Sequence, residues 1–349
     1  MLSYLSKKIG YGILVLIGVV VVVFFLFQGF GDPARLVLGQ TGDSATIQHI
    51  RKELALDQPT WKQFLYYVND VSPIAIHSKA EIEEKKLKGF FIGGEKKLAI
   101  KAPYLRRSYQ TKKEVGTVLY EALPGTLILA LAAMLFATVV GIALGVLAAV
   151  KQNTWMDTSA VFASVLGISA PSFFMGILLA YFFGFVWSNV TGLQMTGSLF
   201  YMDPFLGRQL SLKSLILPAL TLGIRPLAII TQLTRSAMLD VLDQDYIRTA
   251  YAKGLSKRVV LLRHALRNAL NPVVTAITGW FAELLAGAFF VEYIFGWKGI
   301  GKVTVDALEK LDFPVVMGSV LLTATFFVLV NLLADLLYGW IDPRVRLNG

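Results

Sequence analysis

Six long apolar runs, separated by charged segments, constrain this chain more than any other feature. They lie at about Ile9 to Phe27, Leu123 to Val150, Thr158 to Trp187, Leu215 to Met238, Val273 to Ile294 and Val315 to Trp340. Each is long enough to cross the ~30 Å hydrocarbon core of a bilayer as a helix. The expected fold is therefore an all-α polytopic membrane protein with six transmembrane helices, its length consumed by spans and not by a compact core. The composition agrees, with 55% apolar residues, 16% charge and a mean hydropathy of +0.62, well above the soluble average. The first run follows Lys7 and Lys8 and outlasts the roughly 7 to 15 residues of a secretory signal core. No small-x-small cleavage site follows it, only Gln28-Gly29-Phe30-Gly31-Asp32-Pro33, so it reads as a retained span.

Three regions result. Residues 1–28 hold the N-terminal end and the first span; 29–118 are too charged for lipid and too long for a connection, so they form an extramembrane domain; 119–349 hold spans 2 to 6. Within the domain, Ile47 to Leu56 has helical spacing, and Leu56-Asp57-Gln58-Pro59 reads as a helix stop. A second amphipathic piece surrounds Trp61, Phe64, Leu65 and Val68. Lys79 to Lys88 is expected as a solvated helix, and Phe90 to Gly94 as a strand or turn. In span 3, Pro171 removes a backbone hydrogen bond, so a kink or break is expected there. Gly141 and Gly145 of span 2 form a G-x-x-x-G, either a smooth face for close helix approach or ordinary glycine enrichment.

Lysines and arginines in the short loops set the orientation. One set of ends holds Lys7, Lys8, Lys151, Arg248, Lys253, Lys257, Arg258, Arg263, Arg267, Arg344 and Arg346; the other holds Arg208, Lys213, Lys298, Lys302 and Lys310. The richer set is expected in the cytoplasm with both termini, and the 29–118 domain outside. The net charge of +10 thus suits anionic lipid. No basic, aromatic-interleaved surface points to nucleic acid.

The loop from Asp240 to Asn271 does not look like an idle connector. Tyr246 to Lys253 has the pattern of a short helix, Gly254 of a left-handed stop, and Ser256 of an N-cap for a second helix reaching Pro272. On that second helix Leu262, Leu266 and Leu270 recur every four residues, beside the like-charge pair Arg263 and Arg267. Such a face asks for an acidic or apolar partner; contact with lipid phosphates is the blander alternative. The string Gln244-Asp245-Tyr246-Ile247-Arg248-Thr249-Ala250-Tyr251-Ala252-Lys253-Gly254-Leu255-Ser256, continuing through Arg263-His264-Ala265-Leu266-Arg267-Asn268-Ala269-Leu270-Asn271-Pro272, closely resembles the loop by which ATP-binding-cassette importer permeases dock on their ATPase. It resembles in particular the dipeptide, oligopeptide and nickel branch of that family. Gly31-Asp32-Pro33-Ala34-Arg35, Leu54 to Pro59, Leu123-Pro124, Pro171 to Phe174, Leu217 to Gly223 and Asp342-Pro343-Arg344-Val345-Arg346 look like the same family in its order.

The resemblance implies the type I importer permease fold in a bacterial cytoplasmic membrane. It also implies one pore subunit paired with a second homologous permease, two cytoplasmic ATPases and an extracytoplasmic substrate-binding protein. Peptides are the expected cargo, with nickel complexes, glutathione-like solutes and peptide export as alternatives. Within the loop of residues 240–272, the resemblance casts Thr249, Ala250, Ala252, Lys253, Gly254 and Leu255 as the docking elbow, flanked by Arg248, Arg263 and Arg267. The stretch from about 70 to 103 does not match the family's usual shorter segment and reads as an insertion, either a contact surface or a tolerated elaboration.

No catalytic residue, metal or cofactor is expected in this chain; ATP and magnesium would sit on the partner ATPases. Gly296-Trp297-Lys298-Gly299-Ile300-Gly301-Lys302-Val303 follows the phosphate-loop spacing until Val303 replaces the magnesium-binding Ser or Thr. The sequence has no cysteine, three histidines and neither H-E-x-x-H nor G-x-S-x-G, which disfavours an intramembrane hydrolase. A channel or secretion subunit without an ATPase remains the competing class. Asp240, Asp243 and Asp245 lack the further ligands of a calcium loop and suit helix-end solvation. Arg225 and Glu283 fall near mid-depth of spans 4 and 5, and either pair, face one aqueous cavity, or make separate polar contacts or snorkel. If they pair, Glu283→Gln should cost more than Glu292→Gln. Asn331 and Asp335 lie one turn apart in span 6, with Arg235 of span 4 expected within reach of Asp335.

Overall fold

The computed structural model describes residues 2–28, 51, 56–203 and 205–341. The expected helix from Ile47 to Leu56 lies almost wholly outside them, as do Gly31 to Arg35 and Asp342 to Arg346. In chain order the elements are α1 (Leu2–Gln28), α2 (Thr60–Val71), β1 (Ile74–Ser78), α3 (Lys79–Glu84), β2 (Gly89–Gly93), β3 (Lys96–Lys101) and α4 (Val115–Val150). Then come α5 (Trp155–Ser169), α6 (Ser172–Tyr181) with a π-helical turn (Phe182–Val186), α7 (Ser188–Thr191), the hairpin β4 (Phe200–Asp203) and β5 (Gly207–Leu210), and α8 (Lys213–Leu242). After α9 (Asp245–Ala252), α10 (Lys257–Val259) passes through a π-helical segment (Val260–Ala265) into α11 (Leu266–Gly287); α12 (Phe289–Ile294), α13 (Ile300–Glu309) and α14 (Phe313–Ile341) complete the chain.

Among the described residues four helices are long and apolar enough to cross a membrane, Ser6–Gln28 of α1, α4, α8 and Phe313–Leu336 of α14, or five if the bent pair α5 and α6 makes one span. The expected break at Pro171 is severe. Ala170 and Pro171 are extended, and the helices on either side, Trp155–Ser169 and Ser172–Val186, meet at 109°. The fifth expected span falls on α11 and α12. Arg267, Asn268, Asn271 and Glu283 make α11 less apolar than its neighbours, and it is not among the helices that reach the same measure of length and apolarity. Polar positions of this kind belong on faces turned to protein or water. Pro272 does not end the helix there but lies inside α11.

Packing divides the chain into two units. In the one built on residues 123–302, α8 packs against α5, α6 and α11 around Leu129, Leu217, Ile230, Val273, Phe295 and Trp297. Gly141 and Gly145 of α4 meet α8 closely: an added Cβ would lie 2.9 Å from Ile230 Cγ2 and 2.5 Å from Thr234 Cβ, respectively. The G-x-x-x-G is thus a helix contact.

The other unit joins residues 7–122 with 303–325. Here α2 is held to α1 by Phe24, whose ring lies 5.2 Å from Phe64 and 5.7 Å from Tyr67. Burial pushes the Tyr67 hydroxyl up to about 12, so it stays protonated. The strands form an antiparallel sheet in the order β1-β3-β2. Ser78 caps α3 in a reciprocal box with Glu81, which starts the expected Lys79 helix; it stops at Glu84, before Lys88. Buried Asp70 ties these pieces together. Its carboxylate accepts from Lys85 Nζ at 2.5 Å and Arg106 Nε at 3.3 Å, while Lys101 Nζ donates to the carbonyl oxygens of Asp70 and Ser72. Asp312, just before α14, accepts from Ser108 Oγ and from the Tyr109 amide at 2.9 Å.

Candidate functional site

The segment expected to dock a partner folds as two helices around an elbow. Along α9, Ile247 and Ala250 are i,i+3 neighbours on one face and are buried at 1% and 8% exposure. They pack with Ala149 at the end of α4, Met238 near the end of α8, and Val260, Ala265 and Ala269. The opposite face leaves Tyr246, Arg248, Thr249, Tyr251 and Ala252 to solvent, and Lys253, Gly254 and Leu255 follow exposed. Gly254 has φ +76° with nothing within 4 Å of an added Cβ, so the left-handed backbone alone explains glycine there. The Gly254 amide donates to Tyr251 O at 2.9 Å and that of Leu255 to Ala250 O at 3.3 Å, closing the turn. Asn268 Nδ2 donates to Tyr246 Oη at 2.9 Å, linking α9 to α11. On the return helix Leu262, Arg263, Leu266, Arg267 and Leu270 line one shallow concavity. Ala250 is a packing residue of the elbow and not part of its outer surface.

The loop that nearly matches a phosphate-binding motif turns its amides on an internal carboxylate. Glu292 of α12 is fully buried; it accepts from Thr126 Oγ1 at 2.7 Å and from the Lys302 amide at 3.1 Å, with the Gly301 amide as a further donor. Thr126 in turn accepts from the Ile300 amide at 2.8 Å, and Trp297 Nε1 donates to Gly125 O at 2.9 Å. A Cβ on Gly299 would lie 2.4 Å from the Glu292 carboxylate, so glycine is needed for the approach. The arrangement locks α4 to the α12–α13 loop.

Arg225 and Glu283 stay separate, one of the alternatives the sequence leaves open, whereas Arg235 departs from expectation. Arg225 stacks its guanidinium over Trp280, 5.5 Å from the ring centre, and no ion pair within 4.0 Å joins it to exposed Glu283. Arg235 does not turn to Asp335: it forms a two-pronged pair with buried Asp157, Nη2 to Oδ2 at 2.8 Å and Nε to Oδ1 at 2.5 Å. Asp157 also accepts from the Asn153 amide at 3.0 Å, fixing the turn between α4 and α5. Asn331 donates to the Phe327 carbonyl one turn back at 2.8 Å. Among the described residues no group of three acidic, histidine or cysteine side chains has metal-binding geometry.

Comparison with known proteins decides the family. Residues 141–347 match the model described as binding-protein-dependent transport system inner membrane component, and residues 1–130 match its N-terminal counterpart. This chain belongs to that family of permeases. The dipeptide transport system permease protein DppB of Escherichia coli is 37% identical to the permease, with 99% of each chain covered. The protein of the same name from Alkalihalophilus pseudofirmus is 34% identical over 99% of this chain and 100% of its own. The glutathione transport system permease protein GsiC of Escherichia coli is 34% identical over 99% of each. Among solved structures, an inward-facing MetNI methionine ABC transporter chain aligns with a TM-score of 0.51 at 16% identity, covering 65% of this chain and 97% of that one. The fold is therefore that of a type I ABC permease, and the stretch from 70 to 103 lies inside the range matched by the N-terminal model.

Sequence reasoning missed Asp157, Thr126 and Glu292 in the permease. The first had a signal: a span arginine at position 235 needs a partner, and Asp157 stands just before the predicted start of span 3. The second pair had none, because Thr126 and Glu292 are 166 residues apart.

Proposed function

We propose that this permease forms half of the translocation pathway of an ATP-binding-cassette importer for dipeptides and longer oligopeptides, and catalyses no reaction itself. The observation that carries the cargo is end-to-end similarity, at 37% identity, to a dipeptide permease; the glutathione permease at 34% supports small γ-linked peptides as the second choice. The complex would hold a second homologous permease, two ATPases that bind ATP and magnesium, and a substrate-binding protein. The α9 elbow, with Gly254 at its turn, seats in the ATPase. A packed helix transmits displacement that a floppy loop would absorb, and α9 is packed through Ile247 and Ala250. Lys151, Lys253, Lys257, Arg258, Arg263 and Arg267 belong to the turn after α4 and the elbow segment, which supports the cytoplasmic side for that end. Both termini then face the cytoplasm and the sheet-bearing domain faces out.

Uptake of labelled dipeptides and oligopeptides into vesicles holding the complete transporter tests this reading. ATP-dependent uptake of peptides, competed weakly by glutathione, is expected; uptake of glutathione alone, or none with ATPase bound, would reject the cargo. Gly254→Val, which forces a branched side chain to positive φ, should detach or uncouple the ATPase while the permease still inserts.

A further inference from the structure

The sheet of the outer domain has its polarity inverted. Register puts Ile74, Ile100 and Phe90 in one cross-strand row and Ile76, Leu98 and Ile92 in the next, and alternation turns all six to the same face. Their exposures are 63, 54, 80, 58, 46 and 69%, respectively, whereas Ala75, His77, Ala99 and Lys101 on the opposite face are buried. The exposed apolar patch is on the order of 600 Å², at the top of what a typical monomer shows, and comparable to most of one side of a standard interface. A patch this size is costly to leave in water.

We propose that this face docks the extracytoplasmic binding protein of the same transporter, through an apolar surface of that protein bordered by acidic residues. The proposal rests on the importer reading above. Charge supports an acidic rim: Lys96 shares the face, one pair beyond Ile76 and Leu98, exposed Lys88 directly precedes β2, and seven lysines stand against four glutamates from Lys79 to Lys101. A protein surface suits the sheet better than lipid does. In the order β1-β3-β2 the β1 edge is closed by the Asn69 and Ser72 side chains, which bond the backbone of Ile76 and Ile74, but β2 is an edge strand, and its outward backbone groups would lose their hydrogen bonds in hydrocarbon. The mount is firm, since Asp70 joins Lys85 and Arg106 beneath the sheet.

The test uses the complete transporter in nanodiscs with its own binding protein. Phe90→Glu together with Ile92→Glu should raise the dissociation constant of the binding protein about tenfold or more, and Lys88→Glu with Lys96→Glu should raise it less, in a salt-dependent way. Because the chain has no cysteine, Phe90→Cys gives a single site in it for a photocrosslinker, expected to capture the binding protein. An unchanged dissociation constant in the apolar double variant overturns the proposal, as does a crosslink only to lipid, to the second permease or to another copy of this chain. If the wild-type complex shows no ATP hydrolysis stimulated by the binding protein, the importer reading falls and this proposal with it; if stimulation is normal and only the patch variants are silent, the patch alone is refuted.

Discussion

Replacing Glu292 separates the structure's account of this permease from the one its sequence invites. With 0% exposure, its carboxylate serves Thr126 Oγ1 and the Lys302 and Gly301 amides. Glu292→Ala strands three buried donors, at ~1–3 kcal/mol each less whatever the hydroxyl recovers by rotating, and opens a cavity; about 3–6 kcal/mol is the expected loss. Glu292→Gln keeps the volume and one acceptor but points an amide NH₂ at a donor, an expected loss of about 1–3 kcal/mol. Glu283→Gln, on an exposed side chain without an ion pair among the described residues, should change nothing measurable. The assay is the thermal unfolding midpoint of the purified complex, read beside its yield. The structure therefore orders the three as Ala at 292, Gln at 292, Gln at 283, the reverse of what an Arg225–Glu283 pair would give. A larger loss for Glu283→Gln than for Glu292→Gln would refute the reasoning.

Two further outcomes follow from buried polar groups. Asp157→Asn should destabilise the complex by about 2–4 kcal/mol, discounted because Arg235 keeps 26% of its side chain exposed, whereas Asp245→Asn, at a surface pair of 3.5 Å, should leave the unfolding midpoint unmoved; equal shifts would contradict this. His77 is 1% exposed with Nε2 unpartnered, and burial, with Lys101 and Lys85 nearby, lowers its pKa below the usual 6.5. The unfolded chain then binds more protons, so the His77 contribution is full above about pH 6.5 and is lost as pH falls through the lowered folded value. Glu81, itself held low by the Ser78 amide and Lys85 against the opposing effect of burial, acts only below about 4.5. Amide protection factors of β1 and β3 in the intact protein, corrected for the intrinsic slowing of exchange with acid, should fall on acidification toward pH 5, and His77→Gln should flatten that dependence; the same fall in the variant would contradict it.

Spans were legible in the sequence because lipid demands apolar length, which needs no knowledge of neighbours. The elbow was legible as well: Gly254 and Ser256 punctuate local helices, and local signals survive in one dimension. What failed was pairing at a distance. Arg225 and Glu283 sit at matching depths, yet depth says nothing of rotation about each helix axis, and Trp280 takes the guanidinium instead. The sheet face was hidden for a related reason. Ile74, Ile76, Leu98 and Ile100 alternate with His77, Lys97, Ala99 and Lys101, and alternation shows that two faces differ, not which one is covered. The break at Pro171 was anticipated, but its 109° angle depends on what the two halves pack against.

Coverage of α9 by the motor subunit decides whether the permease is driven through its elbow. Labelling of Tyr251→Cys, at a side chain 42% exposed in the isolated chain, measures this with and without the ATPase bound. Strong protection upon assembly is the predicted result. Equal labelling in a complex that hydrolyses ATP and imports peptide would contradict it.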